Sequence, residues 1–154
     1  MPAKKTKLPP LGKGKLGFAV TQSYPVPVAK VWDAITKAKH TQKYFVWKVK
    51  GDFTAKRTPV MWSWRKFGTH ALHTTKFQAE KKLEFVWQNW NKKYMTTVTF
   101  TLAKKGRFTK VQITERGWTN SDLTNVLGNC EGWTQYLAYL KAYLLYGKDL
   151  RSEK

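Results

Sequence analysis

Val126-Leu127-Gly128-Asn129-Cys130-Glu131-Gly132-Trp133-Thr134-Gln135-Tyr136-Leu137-Ala138-Tyr139-Leu140-Lys141-Ala142-Tyr143-Leu144 is the stretch on which the fold turns. Val126, Cys130, Trp133, Leu137, Leu140 and Leu144 step by four, three, four, three and four, the spacing of a single apolar seam on a helix. The polar cluster Thr119-Asn120-Ser121-Asp122 sets off its start, and Gly128 is a candidate kink near it. Gly147 is a natural stop, with Lys148 and Arg151 placed to meet the negative end of the helix dipole. A helix of this length with one apolar side needs a broad surface to lie on.

The preceding residues supply that surface. Leu16, Phe18 and Val20 alternate with Gly17, Ala19 and Thr21 in a strand that runs to Tyr24 and is stopped by Pro25 and Pro27. Val28, Val31, Trp32 and Ile35 then share one helical face, Pro27 suits a first turn, and a short second helix is expected over Thr41 to Phe45. From Trp47 to Trp118 short alternating runs follow without an intervening helix. They are Trp47, Val49 and Phe53; Val60, Trp62 and Trp64; Leu72 to Phe77; Leu83 to Trp87; Tyr94 to Leu102 after a turn at Lys92-Lys93; and Val111 with Ile113 after a turn at Lys104-Lys105-Gly106-Arg107. Six consecutive strands of this kind imply an antiparallel sheet, apolar on one face and wet on the other. The expected architecture is α+β: a curved antiparallel sheet of about seven strands wrapped around the long C-terminal helix, with two short helices after the first strand.

Composition bounds the rest. The 154 residues suit one domain, expected over 15–150, behind a basic, flexible tail over 1–14, with 151–154 frayed. Aromatics reach 15%, including eight Trp, which excludes a disordered polyelectrolyte. Twenty-nine basic against nine acidic residues leave a net charge of +20, carried mainly by Lys. Such a surface attracts polyanions nonspecifically. Lys48, Lys50, Arg65, Lys110 and Arg116 share the outward parity of the strands. Most strand aromatics face inward, which argues against a stacking platform for single-stranded nucleic acid. Cys130 is the only cysteine, so no internal disulfide forms. No signal peptide and no membrane span is found, and a cytoplasmic location is expected.

Several of these residues resemble a known superfamily. Val31-Trp32-Asp33-Ala34-Ile35-Thr36 through Tyr44-Phe45 is similar to the opening helices of START-like (SRPBCC) domains. Leu83-Glu84-Phe85-Val86-Trp87 resembles their apolar–acidic–apolar strand ending in Trp, and Thr96 to Leu102 with Thr109 to Glu115 resembles their last hairpin. Gly132-Trp133 followed by Leu137-Ala138-Tyr139-Leu140-Lys141 is similar to the last helix of one branch, the homologues of the ATPase activator of the chaperone Hsp90. The resemblance covers about residues 16 to 147. It implies a helix-grip fold and a cavity that in many relatives holds a hydrophobic or amphipathic small molecule, in proteins that are stress-associated or bind without a defined reaction.

The expected function is therefore non-catalytic binding of a small hydrophobic or aromatic ligand, with an anionic head suited to the Lys field, between the sheet and the last helix. Alternatives are a chaperone partner, with a regulator's role, and a polyanion-binding surface. An enzyme of this fold, a cyclase or hydrolase, would want an acid–base pair, and none stands out. Parity places Trp62, Trp64, Leu72, Phe85, Trp87, Phe100 and Ile113 from the sheet, and Trp133, Tyr136, Leu137 and Leu140 from the helix, toward the cavity. Each is equally suited to plain core packing. His73 is a candidate polar anchor, and Glu115 shares the inward parity, with a place at the cavity mouth as its mildest reading. His70 and His73 fall on opposite faces of a strand and no Cys or paired carboxylate joins them, so no metal and no cofactor is expected.

Overall fold

A computed structural model describes residues 7–88 and 93–152. Residues 1–6 of the expected tail, Lys92 of the expected turn and residues 153–154 lie outside it. The element order is β1 (Leu16–Tyr24), α1 (Val28–Thr36), α2 (Ala38–Tyr44), β2 (Lys48–Lys50), β3 (Val60–Trp64), β4 (Gly68–Gln78), β5 (Lys82–Gln88), β6 (Met95–Lys105), β7 (Phe108–Trp118) and α3 (Leu123–Tyr146), with a short 3-10 turn over Asn120–Asp122. The seven strands form one antiparallel sheet in the order β1-β7-β6-β5-β4-β3-β2. Closing β1 onto β7 brings the first strand to the last and leaves the two short helices to bridge the sheet's edges. This is the sheet-and-helix arrangement expected from the periodicities, and the helix-grip fold that the resemblance implies.

The alternation sets the sheet's inner face. Val98 of β6 pairs with Phe85 and Glu115, and Phe100 with Leu83 and Ile113, so these rows turn inward together. Across them lies α3, burying Val126, Trp133, Tyr136, Leu137 and Leu140. Gly128 does not kink the helix, which is continuous until Gly147 takes a left-handed φ of 62° that a side chain would resist. Phe53 falls outside any strand, yet it is buried, its N–H donating to the Thr36 carbonyl at 3.0 Å. A bulge between Thr74 and Lys76 resets β4, so that Phe77 faces inward beside Leu83.

Three phenols fasten α1, α2 and β1 to one another and to α3. Tyr24 donates to the Leu137 carbonyl at 2.7 Å, Tyr44 donates to the Ala34 carbonyl at 2.8 Å, and the Tyr44 and Tyr136 hydroxyls lie 2.9 Å apart. Burial raises the pKa of all three well above the usual phenol range; neighbouring phenols add to it at Tyr24 and Tyr136, while the hydrogen bond to Tyr136 works against it at Tyr44. They act as neutral hydrogen-bonding rivets in an apolar setting.

The described end of the expected tail is docked. Met95 N–H donates to Pro10 O and Gly12 N–H to Met95 O, both at 2.8 Å. Further on, a Cβ on Gly14 would stand 1.9 Å from the Trp118 carbonyl oxygen. Gly12 and Gly14 fall within the stretch expected to be a flexible tail. In the fold they belong to a segment laid against the sheet, and Gly14 is where two backbones touch.

Candidate functional site

Glu115 organises the site. It points inward from β7, is fully buried, and receives four hydrogen bonds. Trp87 Nε1 (2.9 Å) and Thr96 Oγ1 (2.6 Å) donate to Oε2, while Trp133 Nε1 (3.0 Å) and Asn129 Nδ2 (3.1 Å) donate to Oε1. The donors come from β5, β6 and α3. One acceptor-only group thus stitches three strands to the long helix. The sequence reading set Glu115 at the cavity mouth. It lies instead beneath the surface, because indoles from two elements converge on it.

The other side of those indoles is open. Trp87, Trp133 and Asn129 form part of the floor of a cleft of about 550 Å³, between the first half of α3 and the β3–β4 hairpin. Trp64, Phe67 and His70 wall it on the hairpin side, Phe45 and Trp47 at one end, and Gly128, Gly132 and Tyr139 on the helix side. Gly128 and Gly132 stand one helical turn apart, and a Cβ on either would meet nothing within 4 Å. Glycine inside a helix costs about 0.8–1.0 kcal/mol relative to alanine. Two of them, both facing the cleft, keep that wall low.

The rim carries charge. The Arg65 guanidinium lies 4.8 Å from the centre of the Trp47 ring, a cation–π contact at an exposed edge. Arg151 is bound at both ends, donating to the Asp149 carboxylate at 2.8–2.9 Å and to the Val46 carbonyl at 2.9 Å. His70 Nε2 lies 2.9 Å from the Phe67 carbonyl oxygen, and its ring packs 5.5 Å from that of Trp64.

Of the residues singled out from sequence, Trp64, Trp87 and Trp133 line the cleft. Trp62, Leu72, Phe85, Phe100, Ile113, Tyr136, Leu137 and Leu140 do not reach it. All are nearly or fully buried, and rings fill the space directly under the helix. Phe100 meets Trp133 at 5.5 Å and Tyr136 at 5.5 Å, and Phe45 meets Tyr136 at 4.7 Å between ring centres. His73 pairs with Val86 on the outer face, so it is His70, opposite Trp62, that turns toward the cleft. Arg65 is not part of an outward stripe. It sits in the β3–β4 turn, where alternation no longer sets direction. Phe45, Trp47, Phe67 and Tyr139 were missed, since nothing in a sequence says that an aromatic ring will be left half-covered. Gly128 and Gly132 offered a signal: their four-residue spacing marks one side of the helix as bare.

Comparison with known proteins follows from this geometry. No curated protein matches the chain. Among solved structures, protein MLL2253 from Mesorhizobium loti superposes with a TM-score of 0.75 at 20% identity, covering 84% of this chain and 96% of that one. The solution structure of the Aha1 dimer from Colwellia psychrerythraea gives 0.75 at 18%, covering 86% and 98%. PFC0360w, an HSP90 activator from Plasmodium falciparum, gives 0.66 at 24%, covering 86% and 96%. At these identities the likeness speaks for the fold. A family model described as Activator of Hsp90 ATPase homolog 1-like protein matches residues 25–145, from just before α1 to the last turn of α3, and the chain belongs to that family.

Proposed function

We propose that this protein binds a small planar, apolar molecule in the cleft between α3 and the β3–β4 hairpin, without transforming it, and that an anionic group on the ligand is received by Arg65. The observation that carries the reading is the pair of helix glycines, Gly128 and Gly132, facing an indole-lined cleft of about 550 Å³. A core has no use for two bare positions on a helix, whereas a ligand does. Trp64, Trp87 and Trp133 supply flat apolar area, and burying roughly 200 Å² of ligand surface contributes about 5 kcal/mol before ordering costs. Arg65 is exposed and held against Trp47 by its ring contact, and a guanidinium at that rim suits a carboxylate or phosphate. Trp62, Phe85 and Tyr136 act from behind, as the packed wall that keeps the floor rigid.

Indole fluorescence tests it. A panel of planar aromatic carboxylates and their neutral amides is titrated into the full chain. Saturable quenching is expected, tighter for the acids. Arg65→Ala should weaken the acids by about tenfold or more, the worth of one charge-assisted hydrogen bond, and leave the amides alone. Gly132→Leu should abolish binding of both while circular dichroism stays unchanged. Quenching that survives Gly132→Leu would place the ligand elsewhere. Absence of any quenching, with stimulation of a chaperone ATPase by the same sample, would favour the regulatory reading that the family brings with it.

A further inference from the structure

We propose that the β6–β7 ribbon and the adjoining β4–β5 turn form a docking surface for double-stranded nucleic acid, at the opposite end of β5 from the cleft. The register places it. β5 begins at Lys82 opposite Thr101, so Leu102–Lys105 extends past β5 as part of a two-stranded ribbon with β7. A single bond, Leu102 N–H to Lys81 O at 2.8 Å, ties this ribbon to the β4–β5 turn. The two tips together carry Lys81, Lys82, Lys104, Lys105, Arg107 and, just beyond, Lys110. Among the described residues of the two tips, 79–82 and 103–110, Glu80 is the one carboxylate.

The outer face continuing from this end suits the same partner. β7 turns Lys110, Gln112, Thr114 and Arg116 outward, beside Thr97, Thr99 and Thr101 of β6. Glu84 also points outward, but it is buried and engaged: the Thr75 and Thr99 hydroxyls donate to it at 2.9 and 3.0 Å, and Arg116 lies 3.8 Å away. Its charge is folded into the sheet, and what remains is cationic and hydroxylic. From Arg107 to Arg116 the strand runs roughly 30 Å at about 3.3 Å per residue, close to one turn of duplex at about 34 Å. Lysines here act as point charges for phosphates, without base reading. Phe108 is the one exposed aromatic on this face among the described residues, too few for the stacking a single strand requires. A bilayer would meet the tips and leave the Arg116 end unused.

Fluorescence anisotropy of a labelled duplex of about two helical turns, titrated with the full chain at several salt concentrations, tests the surface. Six phosphate contacts predict a slope of log affinity on log salt near −5, at about −0.9 per contact. Lys82→Glu, Lys105→Glu and Lys110→Glu combined should lower affinity more than about tenfold and flatten the slope by about three. A control triple of equal charge, Lys39→Glu, Lys43→Glu and Lys148→Glu on the helical side, should lose less than about threefold. Should the first triple not fold, Lys105→Gln with Arg107→Gln at the exposed tip carries the same comparison. Equal loss in both triples would reduce the effect to net charge and overturn the proposal. So would tighter binding to a single strand of the same length, duplex affinity too weak to detect near about 0.15 M salt, or a tip dependence shown only by vesicles of anionic lipid.

Discussion

Trp62 and Trp64 stand two residues apart on β3 and share a face of the sheet, yet they meet different fates. Trp62 is 1% exposed, closed in by Phe45, Phe53, Phe85 and Trp133 at ring distances of 5.8–6.3 Å. Trp64 is half-buried and walls the cleft. The strand treats both alike. What differs is the surroundings: Phe53, Phe85 of β5 and Trp133 of α3 close over Trp62 beside Phe45, whereas Trp64 shares Phe45 but has the bare Gly128–Gly132 side of the helix across the cleft. A packed core and a binding cleft are thus built from the same residue type on the same strand, separated by the side chains that a neighbouring helix does or does not supply.

The largest expected effect lies on the packed side. Phe100→Ala removes a ring in contact with Phe85, Trp133 and Tyr136 and should cost about 3–5 kcal/mol in urea unfolding, whereas Trp64→Ala should cost roughly 2 kcal/mol, because Trp64 is only partly buried. Equal losses would erase the distinction. Next comes the seam between the regions. Glu115→Leu takes the acceptor from the buried Thr96 hydroxyl and Trp133 indole N–H and from the part-buried Trp87 indole N–H and should destabilise by about 3 kcal/mol or more, with Glu115→Gln in between because the amide oxygen still accepts. A Leu variant as stable as the parent would show that water reaches the site.

A change of opposite sign sharpens the contrast. Gly132→Ala should stabilise the fold by about 0.5–1 kcal/mol, since the added methyl meets open space and favours the helix, while it narrows the cleft and weakens ligand quenching. Improved binding together with improved stability would mean that the bare wall serves no ligand. The smallest effect belongs to the far flank of α3, where His40 Nδ1 and the Tyr143 hydroxyl lie 2.5 Å apart. Partial burial, then Lys39 and Lys43, hold the imidazole below its usual value of 6.5, against a weaker upward pull from Asp33. The unfolded chain therefore takes up this proton first as the pH falls. The contribution is complete above about 6.5 and declines as the pH drops from there toward the lower folded value. Melting temperatures across that range should fall slightly more for the parent than for His40→Gln, and identical pH profiles would remove His40 from the account.

Most of the fold was legible because it depends on period. Alternation through β6 and β7 put Val98, Phe100, Val111 and Ile113 on one face, and the four–three spacing through α3 put Val126, Trp133, Leu137 and Leu140 against them. The site was legible only in part. Parity reports which side of a strand a residue occupies, and it put Trp64, Trp87 and Glu115 on the inner side, as helical spacing did Trp133. Neither says anything of depth, so Ile113 and Tyr136, which packing seals, were drawn in as well. Parity is silent in turns, where Arg65 and Phe67 sit.

The amino-acid sequence by itself determined the antiparallel sheet, the long helix laid across it, the inward set of rings and the net charge of +20, since each follows from local periodicity or from composition. Only the tertiary structure decided which rings would touch one another and which would touch water, that Glu115 would gather donors from three elements, and that two helix glycines would face indoles. Those are matters of distance between segments far apart in the chain, set by how β1 closes on β7 and how α3 crosses the sheet, and no periodicity along the chain encodes such distances.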